Sequence, residues 1–424
     1  MATETRDEAT AVAVAKKPSF IAGNRLLGAF DSRNFAFLIL GRVTSNMGRS
    51  MRVYARAWLV LELTGSPFLL GLVTSSLSWP MLFMPFLGGV LADRVDRRKL
   101  LLYTEFSLAL LWVIASLLIT LGFIQWWHLM ITGVASGMIQ SIGRPGHEAM
   151  VANVVEKDKM TSAVAINSAA ETWPNAIGLL LATLTIGWLG VEGLFWITAT
   201  LQFMTGVSLL MMHWKEQREI PAAKQSMRSN LLEGFRHIKG EPIILGLTLL
   251  GITATLFAGS YHVLMPFFAR DILGVGAQGL GILMLCSTLG VSAGSAVVIA
   301  SSHIGRRGLM LVLAAILDTL FMIGFSRSEI FPLSLVLVFG MSLFATIART
   351  MLIMVMQLLA PDHLRGRIMS LRVTIMGLSW IGTLWVGGLA EFIGVANTIA
   401  IGATIYGLVA VGLLIKLPHL RRFR

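Results

Sequence analysis

The sequence has little charge and almost no cysteine for its length. Only 13% of the 424 residues are charged, while 55% are hydrophobic. A soluble domain carries about twice that charged fraction, so a soluble globular fold is excluded. The one cysteine, Cys286, rules out an intrachain disulfide and a cysteine-based metal site. Short stretches of strict apolar–polar alternation, the pattern of a membrane β-barrel, are also missing.

Motifs for nucleotide hydrolysis and for catalysis are missing as well. The sequence has neither a glycine-rich nucleotide loop nor a lysine-containing phosphate loop, so ATP is not the direct energy source. The eight histidines are scattered, and no catalytic pair or metal-ligand cluster stands out. We therefore expect no enzyme, no metal site and no bound cofactor.

What the sequence does contain is a series of apolar runs of about twenty residues. A run of that length spans about 30 Å of hydrocarbon as a helix, and lipid leaves the backbone no other way to satisfy its polar groups. We predict an all-α membrane protein with twelve transmembrane helices in two six-helix halves. The predicted spans are about 35–62, 68–92, 99–122, 127–147, 161–188, 193–213, 243–270, 277–301, 308–326, 331–359, 366–392 and 395–416.

One long hydrophilic segment divides these spans six and six. The predicted organisation is an N-terminal cytoplasmic segment 1–33, a first half 34–214, a linker 215–241, a second half 242–417 and a tail 418–424. The first 33 residues lack an apolar core long enough for a signal peptide. The halves also resemble each other, since Arg97-Arg98 and Arg306-Arg307 follow the second and eighth spans, and Arg144 near the end of the fourth span matches Arg349 in the tenth. A parallel duplication of this kind predicts a substrate site near the midplane between the halves.

The basic residues are distributed unequally between the two sides of the predicted membrane. With the N-terminus inside, 25 of the 34 Lys and Arg residues fall in cytoplasmic segments and only Arg270 and Arg327 in external loops. This positive-inside pattern predicts an inner-membrane protein with both termini in the cytoplasm. It also accounts for the net charge of +12 without a nucleic-acid partner. The expected partners are the lipid bilayer and a small-molecule substrate, and we expect a monomer.

The loop after the second predicted span carries the most specific motif. It reads Gly88-Gly89-Val90-Leu91-Ala92-Asp93-Arg94-Val95-Asp96-Arg97-Arg98-Lys99. This resembles the signature loop of the major facilitator superfamily, G-x-L-A-D-R-x-G-R-R, except that Asp96 replaces a glycine. Together with the segments 58–67 and 361–367, it is similar to the branch that contains enterobactin exporters and macrolide-efflux-type permeases. Two family features have no clear match: the Gly-Pro pair that many exporters carry in the fifth span, and the arginine that many proton-coupled members carry in the middle of the fourth span.

The resemblance implies that this loop is a conformational latch between the two halves on the cytoplasmic side. The implied latch residues are Gly89, Asp93, Arg94, Arg97 and Arg98. A carboxylate such as that of Asp93 near a helix end accepts backbone N–H groups and pairs with nearby arginines. The alternative is that the basic residues serve only to fix topology and bind lipid.

Four arginines lie within the first predicted span, at Arg42, Arg49, Arg52 and Arg56. On a helix they project within about 80° of each other along about 21 Å. A charged side chain costs about 2.5–3.5 kcal/mol at the membrane centre, so this stripe should face the bundle interior. We predict that the stripe binds an anionic substrate, with Asn46, Glu171 and Arg372 nearby. The alternative is that the arginines pair with Glu171 or Asp318 and hold helices together.

Glu171 and Asp318 are the two acidic residues that we place well inside predicted spans. A carboxyl group in this setting can bind and release a proton, so both are candidates for coupling transport to the proton gradient. Glu62, Glu105 and Glu391 are predicted to lie near the membrane surfaces, in contact with water.

The resemblance implies a secondary transporter that works by alternating access, and the branch favours export of a small molecule such as a siderophore, drug or metabolite. The arginine stripe favours an anionic one. An importer of an organic anion on the same fold is the alternative. A lipid flippase or a membrane-embedded enzyme is a less favoured alternative.

Overall fold

The computed structural model describes residue 30 and residues 32–80, 97–155, 159–212, 242–259, 261–301, 305–359 and 377–416. Every regular element in these ranges is helical. In the first half these are α1 (Arg33–Thr64), α2 (Pro67–Ser76), α3 (Arg97–Thr120), α4 (Trp126–Val154) and α5 (Met160–Leu210). In the second half they are α6 (Pro242–Thr253), α7 (Tyr261–Phe267), α8 (Gly276–Ala300), α9 (Arg307–Ser326), α10 (Phe331–Leu359), α11 (Ser379–Ile393) and α12 (Val395–Lys416).

Seven segments of the described residues are long and apolar enough to cross a membrane. They are Arg98–Thr120, Ser162–Leu210, Ile243–Ile272, Gly276–Ala300, Arg307–Ser326, Phe331–Leu359 and Val395–Lys416. Helix α1, at 32 residues, is also long enough, but its internal arginines lower its hydropathy. The all-α prediction is therefore confirmed for the described residues, whereas the number of spans stays a prediction. The linker 215–241 and the tail 418–424 lie outside the described residues.

Short turns connect successive helices at one end of the bundle, which we call the short-loop end. Five of these turns contain a glycine with positive φ: Gly65, Gly122, Gly190, Gly274 and Gly394. Gly190 turns the chain inside the segment assigned as α5, with φ 62° and ψ −173°, so α5 consists of two helical arms, as its two predicted spans imply. Left-handed backbone is accessible to glycine at little cost, which explains its recurrence at these turns.

Local sequence sets where the second helix begins. The Ser66 side chain accepts a hydrogen bond from the Leu69 backbone N–H, and Pro67 occupies the first helical turn. A serine cap followed by proline is a strong helix-start signal, because proline lacks the N–H that would be left unpaired there.

The described residues of the seventh predicted span are not regular α-helix throughout. After α6, a π-helical turn covers Ala254–Ala258, α7 follows at Tyr261–Phe267, and a second π-helical turn covers Phe268–Ile272. The segment as a whole, Ile243–Ile272, is still long and apolar enough to cross a membrane, in agreement with the predicted span over about 243–270. Such π turns disrupt the regular hydrogen-bond ladder and often occur at functional sites.

Within each half, the helices pack through small and hydroxyl residues. Along the extensive α1–α5 contact, Thr44 Oγ1 lies 2.9 Å from Thr205 Oγ1, and Ser208 donates to the Phe37 carbonyl oxygen at 2.5 Å. In the second half, α10 packs against α8 and α9, and α9 packs against α12. Small residues and interhelical hydrogen bonds supply this packing where no hydrophobic driving force exists between helices in lipid.

The two halves contact each other at the short-loop end. Helix α2 packs on α11, where Gly71 and Gly387 allow the backbones to approach closely. Glu391 of α11 accepts hydrogen bonds from the Ser66 hydroxyl at 2.8 Å and from the Phe68 backbone N–H at 3.2 Å. The Tyr54 hydroxyl also donates to the Ala277 carbonyl oxygen at 2.6 Å. These contacts close the bundle at this end.

Candidate functional site

Three cavities lie in the middle of the bundle, one in each half and one between them. The N-half chamber has a volume of about 160 Å³ and is lined by α1, α3, α4 and α5. The central chamber has a volume of about 390 Å³ and takes its walls from both halves. The C-half chamber, of about 410 Å³, is lined by the second half and has mostly apolar walls. Arg49 lines the first two chambers and His262 the last two, so the three cavities adjoin in a row.

The N-half chamber holds most of the arginine stripe. Arg42 Nη2 lies 3.5 Å from Glu171 Oε2, although half of the Glu171 side chain is exposed. The Asn46 amide donates to the Ala170 carbonyl oxygen at 3.1 Å, and Arg49 Nη2 donates to Asn175 Oδ1 at 3.4 Å. The arginines therefore face the bundle interior as predicted. The Arg42–Glu171 ion pair is the kind that the pairing interpretation expects, and substrate binding by the stripe stays a prediction.

Arg52 is the most enclosed member of the stripe in this chamber. Its guanidinium carbon lies 4.7 Å from the centre of the Trp112 ring, in cation–π geometry. Its side chain is buried, and its Nη1 atom has no hydrogen-bond partner. The nearby carboxylate of Glu105 attracts it electrostatically.

The prediction for Glu105 was wrong. The sequence placed this residue near the membrane surface, but it is only 6% exposed and lines the N-half chamber. The Gln202 amide donates a hydrogen bond to its carboxylate. Glu105 lies about two turns inside α3, and the neighbouring helices α4 and α5 cover it. The predictions for Glu62 and Glu391 hold, since both are exposed at the short-loop end.

The central chamber takes polar side chains from both halves. Arg49, Arg56 and Asn175 line it from the first half, and His262 and Ser287 from the second. Arg56 is buried although the sequence places it near a span end. Arg49 is exposed to the cavities, so the stripe divides around it between two chambers instead of lining one.

Asp318 projects into the C-half chamber from α9. It is only 4% exposed, and it forms no hydrogen bond or ion pair with another of the described residues. Tyr261, Tyr406 and Arg349 line the same chamber. The start of α7 supplies Tyr261 and His262 to its wall. A carboxyl group isolated in this way is suited to bind a proton or a cationic group.

Several predicted site residues fall where the structure says little. Gly89, Asp93, Arg94 and Arg372 lie outside the described residues, and so do the side chains of Arg97 and Arg144. Of the predicted latch, only Arg98 is described, and its Nη2 donates to the Leu210 carbonyl oxygen at 2.7 Å.

Sequence reasoning missed four residues that line or flank these chambers. They are Glu105, Gln202, Trp112 and His262. For Glu105 and Gln202 a signal was available, because each is a polar residue inside an apolar run. The same signal was available for His262, whereas Trp112 carries none, since tryptophan is common in apolar helices.

Comparison with protein families gives a match over almost the whole chain. A family model described as "Transmembrane secretion effector" covers residues 26–423. The enterobactin exporter EntS of Shigella boydii serotype 4 (strain Sb227) is 26% identical over 395 residues, which is 92% of this chain and 93% of that protein. The enterobactin exporter EntS of Escherichia coli O139:H28 (strain E24377A / ETEC) has the same identity and coverage.

Solved structures of transporters share the fold. The crystal structure of the nucleoside transporter NupG matches with a TM-score of 0.71 and 14% identity, over 92% of this chain and 100% of that chain. A bacterial homologue of the human lysosomal transporter Spinster matches with a TM-score of 0.68 and 15% identity, over 93% and 96%. At these identities the two structures show the fold alone.

Proposed function

The chain belongs to the transmembrane secretion effector family of the major facilitator superfamily, and from that premise we propose that it is a secondary active exporter of a small molecule. It is a multi-pass membrane transporter, and its family and relatives indicate transport instead of catalysis. The proposed direction is supported by the relatives named as exporters. The proposed architecture is twelve transmembrane helices in two six-helix halves.

The observation that carries this proposal is the central chamber between the halves. Its walls come from both halves, and the α2–α11 contact closes the bundle on one side of it. In alternating access, two halves rock about a fixed site near the midplane, so each half must contribute part of the wall. The chamber and the closed end together fit one state of that cycle.

The orientation is also part of the proposal. The positive-inside pattern supports a chain in the inner membrane with both termini in the cytoplasm and with the short-loop end on the outside. The arrangement described here is then closed to the exterior. The predicted cytoplasmic latch at Asp93 and Arg94 belongs to the opposite side.

For the substrate, we propose a small molecule with an anionic group. Arg49 and Arg56 face the central chamber and are the proposed contacts there, because guanidinium groups bind carboxylate and phosphate in fork geometry. Proton coupling is proposed at Asp318, which is isolated in the C-half chamber, and at Glu171, which pairs with Arg42.

Transport in vesicles of known orientation tests the direction and the charge preference. Everted membrane vesicles containing the chain are energised with a pH gradient and offered anionic, neutral and cationic fluorescent compounds. We expect gradient-driven accumulation of anionic compounds, reduced at least about tenfold by Arg49→Gln because a charge-assisted hydrogen bond is lost. Arg327→Gln, at an exposed position of the short-loop end, is the matched control. Accumulation of cationic compounds alone, or an unchanged rate in Arg49→Gln, contradicts the anionic proposal.

Two alternatives have distinct outcomes in the same design. An importer of an organic anion would accumulate substrate in right-side-out vesicles but not in everted ones. A lipid flippase would move a labelled phospholipid between leaflets, with no accumulation in the lumen.

A further inference from the structure

The N-half chamber has features of a binding site that the central transport path does not need. We propose that it is an anion-binding site, in which Arg52 and Arg42 hold a carboxylate group or a small inorganic anion. The proposal requires only that the anion binds, so it does not depend on the direction or the coupling of transport.

Unsatisfied polar atoms are the first argument. Arg52 Nη1, Arg42 Nε and Gln202 Oε1 are buried without a hydrogen-bond partner among the described residues, and all three residues line the chamber. The Arg52 residue is 8% exposed. Buried donors on a charged group are costly to leave unpaired, and an anion admitted to the chamber would supply the missing partner.

The second argument is how the Arg52 guanidinium is held. The Trp112 indole covers one of its faces at 4.7 Å, so the planar group cannot turn freely. Arg52 also lines the chamber, so its N–H donors lie at the chamber wall. A planar guanidinium held in this way offers donors in the fork geometry that suits carboxylates and oxyanions.

The charges on the chamber wall are the third argument. Among the described residues that line it, three arginines face two carboxylates, which leaves one positive charge in excess. Glu171 pairs with Arg42, and the Glu105 carboxylate attracts Arg52 while it accepts a hydrogen bond from Gln202. A bound anion would balance the remaining positive charge, which is expensive to leave uncompensated inside a membrane.

The chamber volume limits the size of the ligand that can bind. About 160 Å³ accommodates a carboxylate group, a phosphate or a halide, but not a large organic molecule. The chamber adjoins the central chamber through Arg49, so the anionic group can belong either to the transported molecule or to a free ion. The same guanidinium groups would bind either one, and comparing organic carboxylates with inorganic anions as probes distinguishes the two.

The test is direct binding to the full-length protein purified in detergent. Sodium acetate, benzoate, phosphate and chloride are titrated at constant ionic strength, with HEPES as the bulky balancing anion, by thermal shift and by calorimetry. We expect saturable stabilisation by at least one of these anions. Arg52→Gln should raise its Kd at least about tenfold, because a charge-assisted interaction is removed. Arg33→Gln, an exposed arginine on the same helix, is the matched control and should bind as the wild type does.

A second variant keeps the test decisive if Arg52→Gln does not fold. Ser45→Leu fills the chamber without removing a charge, and it should abolish anion binding as well. Binding of carboxylates in preference to phosphate and chloride assigns the site to the anionic end of an organic molecule. Binding of phosphate or chloride in preference to carboxylates assigns it to a free inorganic anion. The proposal is overturned if no anion binds saturably to the wild type, or if both variants bind as the wild type does. Failure of the vesicle assay above would leave this result unaffected.

Discussion

Closure at the short-loop end depends on two glycines, which makes Gly387→Ala a sharp test of the mechanism. A methyl group at Gly387 would lie 2.6 Å from the Pro67 carbonyl oxygen and 3.2 Å from the Gly71 Cα. Both are backbone atoms, so no side chain can rotate away. Helices α2 and α11 must separate by roughly 0.8 Å to restore ordinary contact distances.

This separation affects the closed arrangement selectively. Overpacking a tight contact costs about 1–3 kcal/mol, and the cost is relieved when the halves part at this end. A difference of that size shifts a two-state equilibrium about 5–150-fold toward the state open at the short-loop end. The adjacent Gly388→Ala is the matched control, because its methyl group would meet only the Phe68 ring at 3.8 Å. Both changes raise helix propensity equally, so that contribution cancels.

Thiol labelling measures the shift. The single cysteine, Cys286, is replaced by alanine to give a cysteine-free background, and Thr74→Cys puts one thiol in the central chamber. A membrane-impermeant maleimide is then added to right-side-out vesicles. We expect Gly387→Ala to raise the labelling rate at least about fivefold and Gly388→Ala to leave it unchanged. An unchanged rate in Gly387→Ala, or an equal rise in both variants, would refute the reasoning.

Three further predictions concern the carboxylates. Glu105→Leu leaves Arg52 without its attracting carboxylate in a buried site, so we expect a loss of about 3 kcal/mol in the free energy of unfolding, seen as a lower Tm in detergent. Glu391→Gln weakens the cross-half hydrogen bonds by about 1 kcal/mol, which should raise labelling of Thr74→Cys about fivefold. Asp318→Asn cannot exchange a proton, so it should abolish transport driven by a pH gradient while substrate counterflow continues.

Glu105→Leu and Asp318→Asn each have a matched control on an exposed acidic residue. Glu192→Leu should change the free energy of unfolding by no more than about 0.5 kcal/mol, so its Tm should stay close to that of the wild type. A fall in Tm as large as that of Glu105→Leu would contradict the buried role of Glu105. Asp271→Asn should keep both transport modes. If Asp318→Asn retains gradient-driven transport, Asp318 is not the coupling residue. An unchanged labelling rate in Glu391→Gln would show that its hydrogen bonds do not hold the halves together.

The sequence by itself determined the class of fold and the family. Apolar runs of membrane-spanning length force helices, because lipid cannot satisfy backbone polar groups, and this held for every described element. Several predicted helix bounds also agree closely, as at Phe331–Leu359 and Val395–Lys416. The signature motif and the basic residues around it pointed to the superfamily that the family match then showed.

Only the tertiary structure decided which chamber each arginine faces. Helical periodicity places Arg42, Arg49, Arg52 and Arg56 on one stripe, but it does not say which helices cover that stripe. The structure divides them between two chambers because the helices around α1 change along its length. Nor did the sequence reveal that Glu105 is buried, because a position two turns inside a helix is exposed or covered according to its neighbours.

The closure at the short-loop end and the π-helical turns on either side of α7 likewise became known only from the structure. Ser66 and Glu391 are 325 positions apart in the chain, and Tyr54 and Ala277 are 223 apart. Local sequence patterns report the period of one helix, whereas these contacts arise when two distant helices pack at a particular rotation and depth. That rotation and depth follow from the packing of all the helices together, which is why the site emerges only in the folded protein.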